Sequence, residues 1–315
     1  MDIAIIGTGG IAEKAYFPLL ATMPDINLVA VHSRTIENAR KSAQRWHIPL
    51  ATNDIKEILS KKPQAAIVVS TTESHFGICK QLLENGIDVY CEKPLTESST
   101  EAFTLDAIAK ENQRILCVGY NRRHALLYRQ AKQMMAGHNI ELAVIQKHRT
   151  QASNPSLFQQ YLDDTIHQID LMRFFCGDVT AIRTEYTMEK GVLISAVSTV
   201  QLPSGGLGII TICNRSGAWQ ENAALHAERI SVQIDAFQQL RVLKDDMEEV
   251  YGSDRAGKWI PSLKERGFEG ELDHFFQCVK TRRQPATNAI EAAKTQRLME
   301  DLVRASGDAL PFQVK

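Results

Sequence analysis

The chain has 315 residues, of which 36 are basic and 37 are acidic, so its net charge is −1. This length suggests about two domains with ordinary apolar cores. The charge balance argues against a nucleic-acid partner or an anionic membrane surface, and it favours a small-molecule partner.

Targeting, membrane and metal signals are absent from the sequence. No basic-then-apolar leader precedes the first predicted strand, and no apolar run reaches the roughly 18 residues that span a bilayer. The six cysteines are scattered without a Cys-x-x-Cys pair, which predicts reduced core thiols. No His, Cys and carboxylate set stands at metal-ligand spacing. We therefore expect a cytoplasmic protein with neither a membrane anchor nor a metal site.

The first predicted strand, Ile3 to Ile6, leads directly into a glycine-rich turn with the pattern Gly-x-Gly-x-x-Ala. Gly7 permits the tight turn, Gly9 removes the Cβ that would block a pyrophosphate, and small Ala12 lets the following helix pack closely. Free N–H groups at the helix start favour a phosphate. An ordinary strand–helix turn is the alternative. We predict that this turn binds a dinucleotide through Gly7, Thr8, Gly9, Gly10, Ile11 and Ala12.

Apolar runs alternate with amphipathic helical stretches up to about residue 120, a pattern typical of a parallel sheet covered on both faces. We predict that residues 1–120 form a Rossmann domain, a doubly wound parallel α/β sheet that binds NAD(P). The predicted strands after the first cover residues 28–31, 65–69, 89–91 and 115–118, and two of the helices cover 36–46 and 75–83.

The end of the second strand indicates which nicotinamide cofactor is used, because an acidic residue there would bind the ribose diol of NAD. The chain has Ser33 and Arg34 at this point. These side chains can hold a 2′-phosphate by hydrogen bonding and charge. We predict NADP as the preferred cofactor, with NAD possible, and a solvated Arg34 is the alternative.

Lys93 follows the strand that ends near Cys91, at the edge where ligands bind in open α/β sheets. Pro94 keeps Lys93 out of the helical region. A lysine at this edge can hydrogen-bond a substrate oxygen and stabilise its negative charge during hydride transfer. A surface lysine without a role in catalysis is the alternative.

The second half of the chain changes to strands of period two, after a helix near Ala125 to Met135. One helix is predicted to start near Asp163 and to end before Gly177, and Asn288 with Glu291 predicts a capping box for a final helix. We predict that residues 121–315 form an α+β domain with a mainly antiparallel open sheet. Its strands are predicted at residues 142–150, 193–202, 208–213 and 230–234.

Asp163 and His167 are spaced i and i+4 and so share one helix face, with Asp170 a turn further on. An imidazole beside a carboxylate can exchange a proton with an alcohol or a carbonyl. Two alternatives remain open, because Asp163 or Asp164 could be a helix N-cap and a helical histidine is often structural.

The motifs taken together resemble the glucose-fructose oxidoreductase and inositol dehydrogenase family (Gfo/Idh/MocA), and within it the bacterial MviM branch. The resemblance covers the whole chain and is carried by Gly7 to Ala12, Glu92-Lys93-Pro94, 119–123 and Asp163-x-x-x-His167-x-x-Asp170, with 147–149, 162–164 and 265–268 favouring the branch. Thr165 and Thr71 depart from the glycine and the proline of many members.

The resemblance implies that Lys93 contacts both nicotinamide and substrate, that His167 exchanges the proton and that Asp163 assists it. It also implies a substrate-binding second domain whose open sheet forms a homodimer or homotetramer interface. We also expect cofactor contacts from Ser70, Thr71, His75 and Glu92.

Four cations in the second domain suggest an acidic substrate. Lys147 and Arg149 share one face of a predicted strand, and Arg122 and Arg123 follow the last strand of the first domain. They could bind the carboxylate or phosphate of a sugar or polyol. A solvated strand face or a salt-bridge network is the alternative.

The main functional hypothesis is an NADP-dependent oxidoreductase that interconverts a secondary alcohol and a ketone on a sugar, sugar acid or cyclitol. A non-catalytic NADP-binding sensor of the same fold is the alternative, since fold does not settle function. Lys93, Asp163 and His167 together favour catalysis, because a sensor needs only the cofactor loop. An imine or enone acceptor also remains open.

Overall fold

The computed structural model describes residues 1–252 and 260–312, and contacts within the chain divide it into two units. The first unit contains Met1–Tyr120 and Phe268–Lys294, and the second contains Asn121–Gly267 and Thr295–Lys315. The sequence pattern does not predict to which unit the segment Phe268–Lys294 belongs. The predicted domain boundaries, 1–120 and 121–315, stay a prediction.

The strands of the described residues are numbered in chain order. They are β1 (Asp2–Ile6), β2 (Asn27–His32), β3 (Leu50–Thr52), β4 (Ala65–Val68), β5 (Asp88–Glu92), β6 (Leu116–Gly119), β7 (Ile140–His148), β8 (Thr180–Glu189), β9 (Val192–Gln201), β10 (Leu207–Cys213), β11 (Gln220–Ala227), β12 (Ile230–Asp235), β13 (Gln239–Lys244) and β14 (Met247–Gly252).

The helices are numbered in the same way. They are α1 (Phe17–Leu20), α2 (Ile36–Trp46), α3 (Ile55–Lys61), α4 (Thr72–Glu84), α5 (Ser99–Glu111), α6 (Leu126–Met134), α7 (Leu157–Gln160), α8 (Ile166–Cys176), α9 (Ser262–Glu265), α10 (Phe268–Thr281) and α11 (Ala289–Arg304). Two π turns, Ala12–Tyr16 and Tyr161–Thr165, and a 3₁₀ turn, Asn121–His124, complete the set.

The first unit contains a six-stranded sheet with the order β3-β2-β1-β4-β5-β6, in which every neighbouring pair is parallel. All residues of β1 except Asp2 are buried, as expected for a strand with helices on both faces. The strand order reverses between β1 and β4, and ligands bind beyond the carboxyl ends of the strands at such a point. The predicted Rossmann sheet is confirmed.

The second unit contains an eight-stranded sheet with the order β14-β13-β12-β11-β7-β10-β9-β8. Only the β7–β10 pair is parallel among its described neighbours. Strand β7 alternates, with Ala143, Ile145 and Lys147 buried, whereas Leu142 on the other face is 37% exposed. The predicted mainly antiparallel open sheet is confirmed.

The helix that carries His167 begins earlier than its predicted start near Asp163. Ser156 is its N-cap and accepts a hydrogen bond from the Gln159 backbone N–H at 3.1 Å. The chain continues through α7, the π turn Tyr161–Thr165 and α8, which ends before Gly177 as predicted. The π turn breaks the 3.6-residue period, which explains why the pattern pointed to a later start.

Of the glycines in the turn after β1, Gly7 is the one whose backbone conformation and close neighbours exclude a side chain. Its φ is +114°, and an added Cβ would lie 2.5 Å from the Val69 carbonyl oxygen. We expect Gly7→Ala to lower the free energy of unfolding by about 3 kcal/mol, since strain and a backbone clash combine. Gly10→Ala is the matched control, because its Cβ would meet nothing within 4 Å. Chemical denaturation without cofactor measures both, and equal stabilities would contradict this account.

Candidate functional site

The glycine turn after β1 leaves room for a phosphate. A Cβ placed on Gly9 or on Gly10 would meet nothing within 4 Å, and both residues are exposed. The turn is joined to the end of β2, because the Gly7 N–H donates to the His32 carbonyl at 2.9 Å. Ile11 adds an apolar surface beside the turn, since its side chain is 40% exposed. The open cradle fits the pyrophosphate of a dinucleotide.

The end of β2 is tied to the glycine turn by a hydrogen bond. The Thr8 and Ser33 hydroxyls lie 2.9 Å apart, and Ser33 is 7% exposed. Arg34, the next residue, is exposed. The cofactor cradle and the residues predicted to hold a 2′-phosphate therefore belong to one connected edge of the first unit.

Lys93 follows β5 and stands on a buried hydrogen-bond network. The Glu92 carboxylate accepts from the Lys93 backbone N–H at 2.9 Å through Oε2 and from the Tyr16 hydroxyl at 2.6 Å through Oε1. The Tyr90 and Tyr16 hydroxyls lie 2.8 Å apart. Burial and then the nearby carboxylates raise the pKa of Tyr16 well above its usual value, so this hydroxyl stays protonated. The network fixes the backbone at Lys93, whose side chain is half-buried.

His75 connects the loop after β4 to the turn after β5. Its Nδ1 lies 2.9 Å from the Pro94 carbonyl oxygen, and its Nε2 lies 3.2 Å from the Ser70 carbonyl oxygen. Burial lowers the pKa of His75. Thr71 precedes α4 in an extended conformation, with φ −80° and ψ 149°. His75 thus connects two loops at the carboxyl edge of the sheet. Cofactor contacts from His75, Ser70, Thr71 and Glu92 stay predictions.

In the second unit, Asp163 lies on the π turn and His167 on the first turn of α8. Asp163 is exposed and its Oδ2 accepts from Gln159 Nε2 at 2.8 Å, whereas His167 is 7% exposed. Thr165, which replaces the glycine of many family members, is fully buried. Because π turns are frequent at functional sites, this segment is a good candidate for one.

Two of the four predicted substrate cations form bidentate ion pairs. Arg122 binds Glu221 through Nε at 2.8 Å and through Nη2 at 2.9 Å. Arg123 binds Asp170 through Nε at 2.8 Å and through Nη2 at 2.7 Å. Glu221 and Asp170 are buried. Burial alone would raise the pKa of Glu221, but the Arg122 guanidinium keeps it below its usual value.

The other two cations, Lys147 and Arg149, share the carboxylate of Asp164. Lys147 Nζ lies 2.7 Å from Asp164 Oδ1, and Arg149 Nε donates to Asp164 Oδ2 at 3.1 Å. An anionic substrate would have to compete with these carboxylates for all four cations. The salt-bridge alternative therefore describes their geometry, and binding of an acidic substrate by Arg122, Arg123, Lys147 and Arg149 stays a prediction.

Sequence reasoning missed the two carboxylates that organise this region. Glu221 carries no local signal, because its partner Arg122 is 99 residues away. The sequence predicts Asp164 as a possible helix N-cap and as part of the 162–164 segment that favours the branch, but not as an ion-pair partner. A signal existed for Asp164, since it neighbours Asp163 in the motif and acidic residues close to Lys147 and Arg149 would be natural partners.

Comparison with known proteins agrees with the fold and the motifs. Residues 1–120 match the family model described as "Oxidoreductase family, NAD-binding Rossmann fold". The protein YceM of Salmonella typhimurium is 32% identical over 96% of this chain and 97% of its own. The scyllo-inositol 2-dehydrogenase (NAD(+)) of Bacillus subtilis is 25% identical over 92% of this chain and 89% of its own.

Among solved structures, the dehydrogenase MviM of Clostridium difficile superposes with a TM-score of 0.89 at 25% identity, over 97% of this chain and 99% of its own. The chain belongs to the Gfo/Idh/MocA oxidoreductase family, and its first unit is an NAD(P)-binding Rossmann unit. Every helix in residues 1–252 and 260–312 is too short or too polar to span a bilayer. No group of three His, Cys, Asp or Glu side chains in residues 1–252 and 260–312 could hold a metal ion.

Proposed function

We propose that the protein is an NADP-dependent oxidoreductase that interconverts a secondary alcohol and a ketone on a sugar, sugar acid or cyclitol. The observation that carries this proposal is the placement of Lys93 at the carboxyl end of β5 in a Rossmann unit with an open glycine turn. The inositol dehydrogenase among the relatives supports a polyol substrate.

Each proposed residue has a chemical task. A bound nicotinamide supplies or accepts the hydride. Lys93 donates a hydrogen bond to the substrate oxygen and stabilises the charge that develops there. His167 gives a proton to that oxygen in reduction and removes it in oxidation, and Asp163 supports the charged imidazole.

The cofactor preference is testable at Arg34. We expect Arg34→Ala to weaken NADPH binding about tenfold or more and to leave NADH binding within about twofold, because only NADPH carries the 2′-phosphate. Arg40→Ala is the matched control, since Arg40 is also exposed and belongs to α2. Fluorescence titration measures the dissociation constants. Equal NADPH affinities in Arg34→Ala and the wild type would remove Arg34 from the cofactor site.

A substrate panel tests the activity itself. Absorbance at the reduced-nicotinamide band is followed with inositols, inososes, ketoses and sugar acids, in both directions. Turnover with one chemical group of compounds supports the proposal and identifies the substrate class. If sugar acids react no faster than their neutral counterparts, the proposed anion-binding role of the four cations is lost. Cofactor binding without turnover on any compound would favour the sensor alternative.

We also propose that the chain forms a homodimer or homotetramer through the open face of the second sheet. Large apolar side chains on the strands of this sheet are exposed, among them Leu142, Val197 and Leu207. Association would bury them. Sedimentation velocity tests this proposal, and a monomer at micromolar concentration would contradict it.

A further inference from the structure

Lys147 is a buried lysine in an otherwise apolar row. It lies on the inner face of β7 with Ala143 and Ile145, and it is 2% exposed. A buried ammonium group is costly unless it is paired and hydrogen-bonded. Lys147 is therefore an internal group, and its partners indicate its role.

Both contacts of Lys147 Nζ that the structure gives are with Asp164, on the π turn that precedes His167. Nζ lies 2.7 Å from the Asp164 carboxylate and donates to the Asp164 backbone carbonyl oxygen at 3.0 Å. A π turn departs from the regular i to i+4 hydrogen-bond ladder, so a donor from outside the helix can bind a carbonyl there. Lys147 therefore holds the backbone of the turn as well as a side chain.

Arg149 binds the same carboxylate in a different way. It contacts both carboxylate oxygens of Asp164, and no described hydrogen bond joins it to the Asp164 carbonyl. Arg149 is also 43% exposed. The two cations are two residues apart on one strand, yet only Lys147 has a contact with the turn's backbone among the described bonds. This difference gives a matched pair of variants.

Charged groups on three neighbouring elements lie close to Lys147. Glu221 lies opposite Lys147 on β11, Arg122 comes from the 3₁₀ turn, and Asp164 comes from the π turn. Burial and then the Arg122 charge lower the pKa of Lys147 to about 8, although Asp164 and Glu221 oppose this shift. Arg149 and then Lys147 hold the pKa of Asp164 far below its usual range against the effect of burial, and burial and then Glu221 raise the pKa of Tyr128. Of these groups, only Lys147 is expected to titrate between pH 7 and 10.

We infer that Lys147 is a positioning residue, which holds the Tyr161–Thr165 π turn and so sets the orientation of Asp163 relative to His167. If the turn relaxed into a regular helix, its register would change by one residue, which is about 100° of rotation. Asp163 and Asp164 would then present different sides toward the helix that follows. This inference rests on the proposed function, because it gives Asp163 and His167 their task.

Nuclear magnetic resonance of ¹³C-histidine-labelled protein tests the inference without cofactor or substrate. The His167 Cε1–H signal is assigned from its loss in His167→Asn. As the pH is varied, we expect the chemical shift of this signal to show an inflection near pH 8 in the wild type. The inflection should be absent in Lys147→Met, which has no ionisable group at this position, and in Lys147→Arg, whose guanidinium stays protonated. Arg149→Met keeps the inflection. Persistence of the inflection in Lys147→Met, or equal displacement of the His167 signal in Lys147→Met and Arg149→Met, would overturn the inference.

Kinetics provide the second readout, on whichever compound of the panel discharges NADPH. With a neutral compound, which does not use the proposed anion-binding cations, we expect Lys147→Met to lower kcat about tenfold or more with KM and NADPH affinity within about twofold, because a small displacement of catalytic groups slows the reaction strongly. Arg229→Met is the kinetic control, since Arg229 is an exposed cation of the same unit that pairs with Asp245, and it is expected to stay within about twofold in kcat. Equal losses of kcat in Lys147→Met and in its kinetic control would show that Lys147 has only a general structural role. The magnetic resonance experiment does not need turnover. Failure of the proposed function, in which no compound reacts, can therefore be distinguished from failure of the inference about Lys147.

Discussion

Replacing Lys93 by methionine is expected to lower turnover by about a hundredfold or more while NADPH affinity changes less than about threefold. The side chain keeps its length and apolar stem but loses the donor that stabilises charge on the substrate oxygen. The network beneath it should survive, because the Glu92 carboxylate accepts from the Lys93 backbone N–H and from the Tyr16 hydroxyl, and the substitution removes neither donor. Cofactor binding and stability therefore act as internal controls for the loss of turnover.

The measurement is steady-state turnover of the variant with the best compound of the panel, beside fluorescence titration of NADPH. Lys80→Met is the matched control, since Lys80 is an exposed lysine of the same unit that pairs with Glu84 on α4. We expect this control to behave as the wild type. Full turnover in Lys93→Met would exclude Lys93 from the reaction, whereas loss of NADPH binding would make it a cofactor residue alone.

Replacing His167 by asparagine is expected to lower turnover by about a hundredfold or more, because positioned acid–base groups contribute on this scale. Asparagine retains hydrogen-bonding capacity but cannot exchange a proton near neutral pH. The pH profile of kcat should therefore lose one ionisation in His167→Asn. Since His167 belongs to the second unit, NADPH affinity should change little.

Turnover from pH 5 to 9 measures this effect, with His138→Asn as the matched control because His138 is exposed. An unchanged pH profile and an unchanged kcat in His167→Asn would show that another group exchanges the proton. A lowered kcat with an intact pH profile would assign His167 to substrate binding.

The parts of the fold that depend on local pattern could be predicted from the sequence. The apolar strand β1, the glycine turn and helix α2, predicted from Ile36 to Trp46 and observed with those bounds, each carry their signal within a few residues. The N-cap at Asn288 could also be predicted, and the Asn288 Oδ1 accepts a hydrogen bond from the Glu291 backbone N–H at 3.1 Å. Short or edge strands such as β3 and β14 were missed, because three residues give no period and exposed edges alternate weakly.

The parts of the candidate site that depend on contacts between distant residues could not be predicted. Lys147 and Arg149 looked equivalent in a period-two strand, yet one is buried and the other is 43% exposed. Burial depends on which elements cover the sheet, and the π turn that binds Lys147 has no sequence signature of its own. For the same reason, the pairing of Arg122 with Glu221 emerges only once β11 is placed beside β7.

We propose that this chain binds a nicotinamide dinucleotide and passes a hydride to or from a polyol or its ketone. Titration of the purified protein with NADPH and NADH, followed by reduced-nicotinamide fluorescence, tests this proposal when inososes, ketoses and sugar acids are then added. We expect tight binding that favours NADPH and loss of the signal with one group of compounds. Failure of both dinucleotides to bind would contradict the claim.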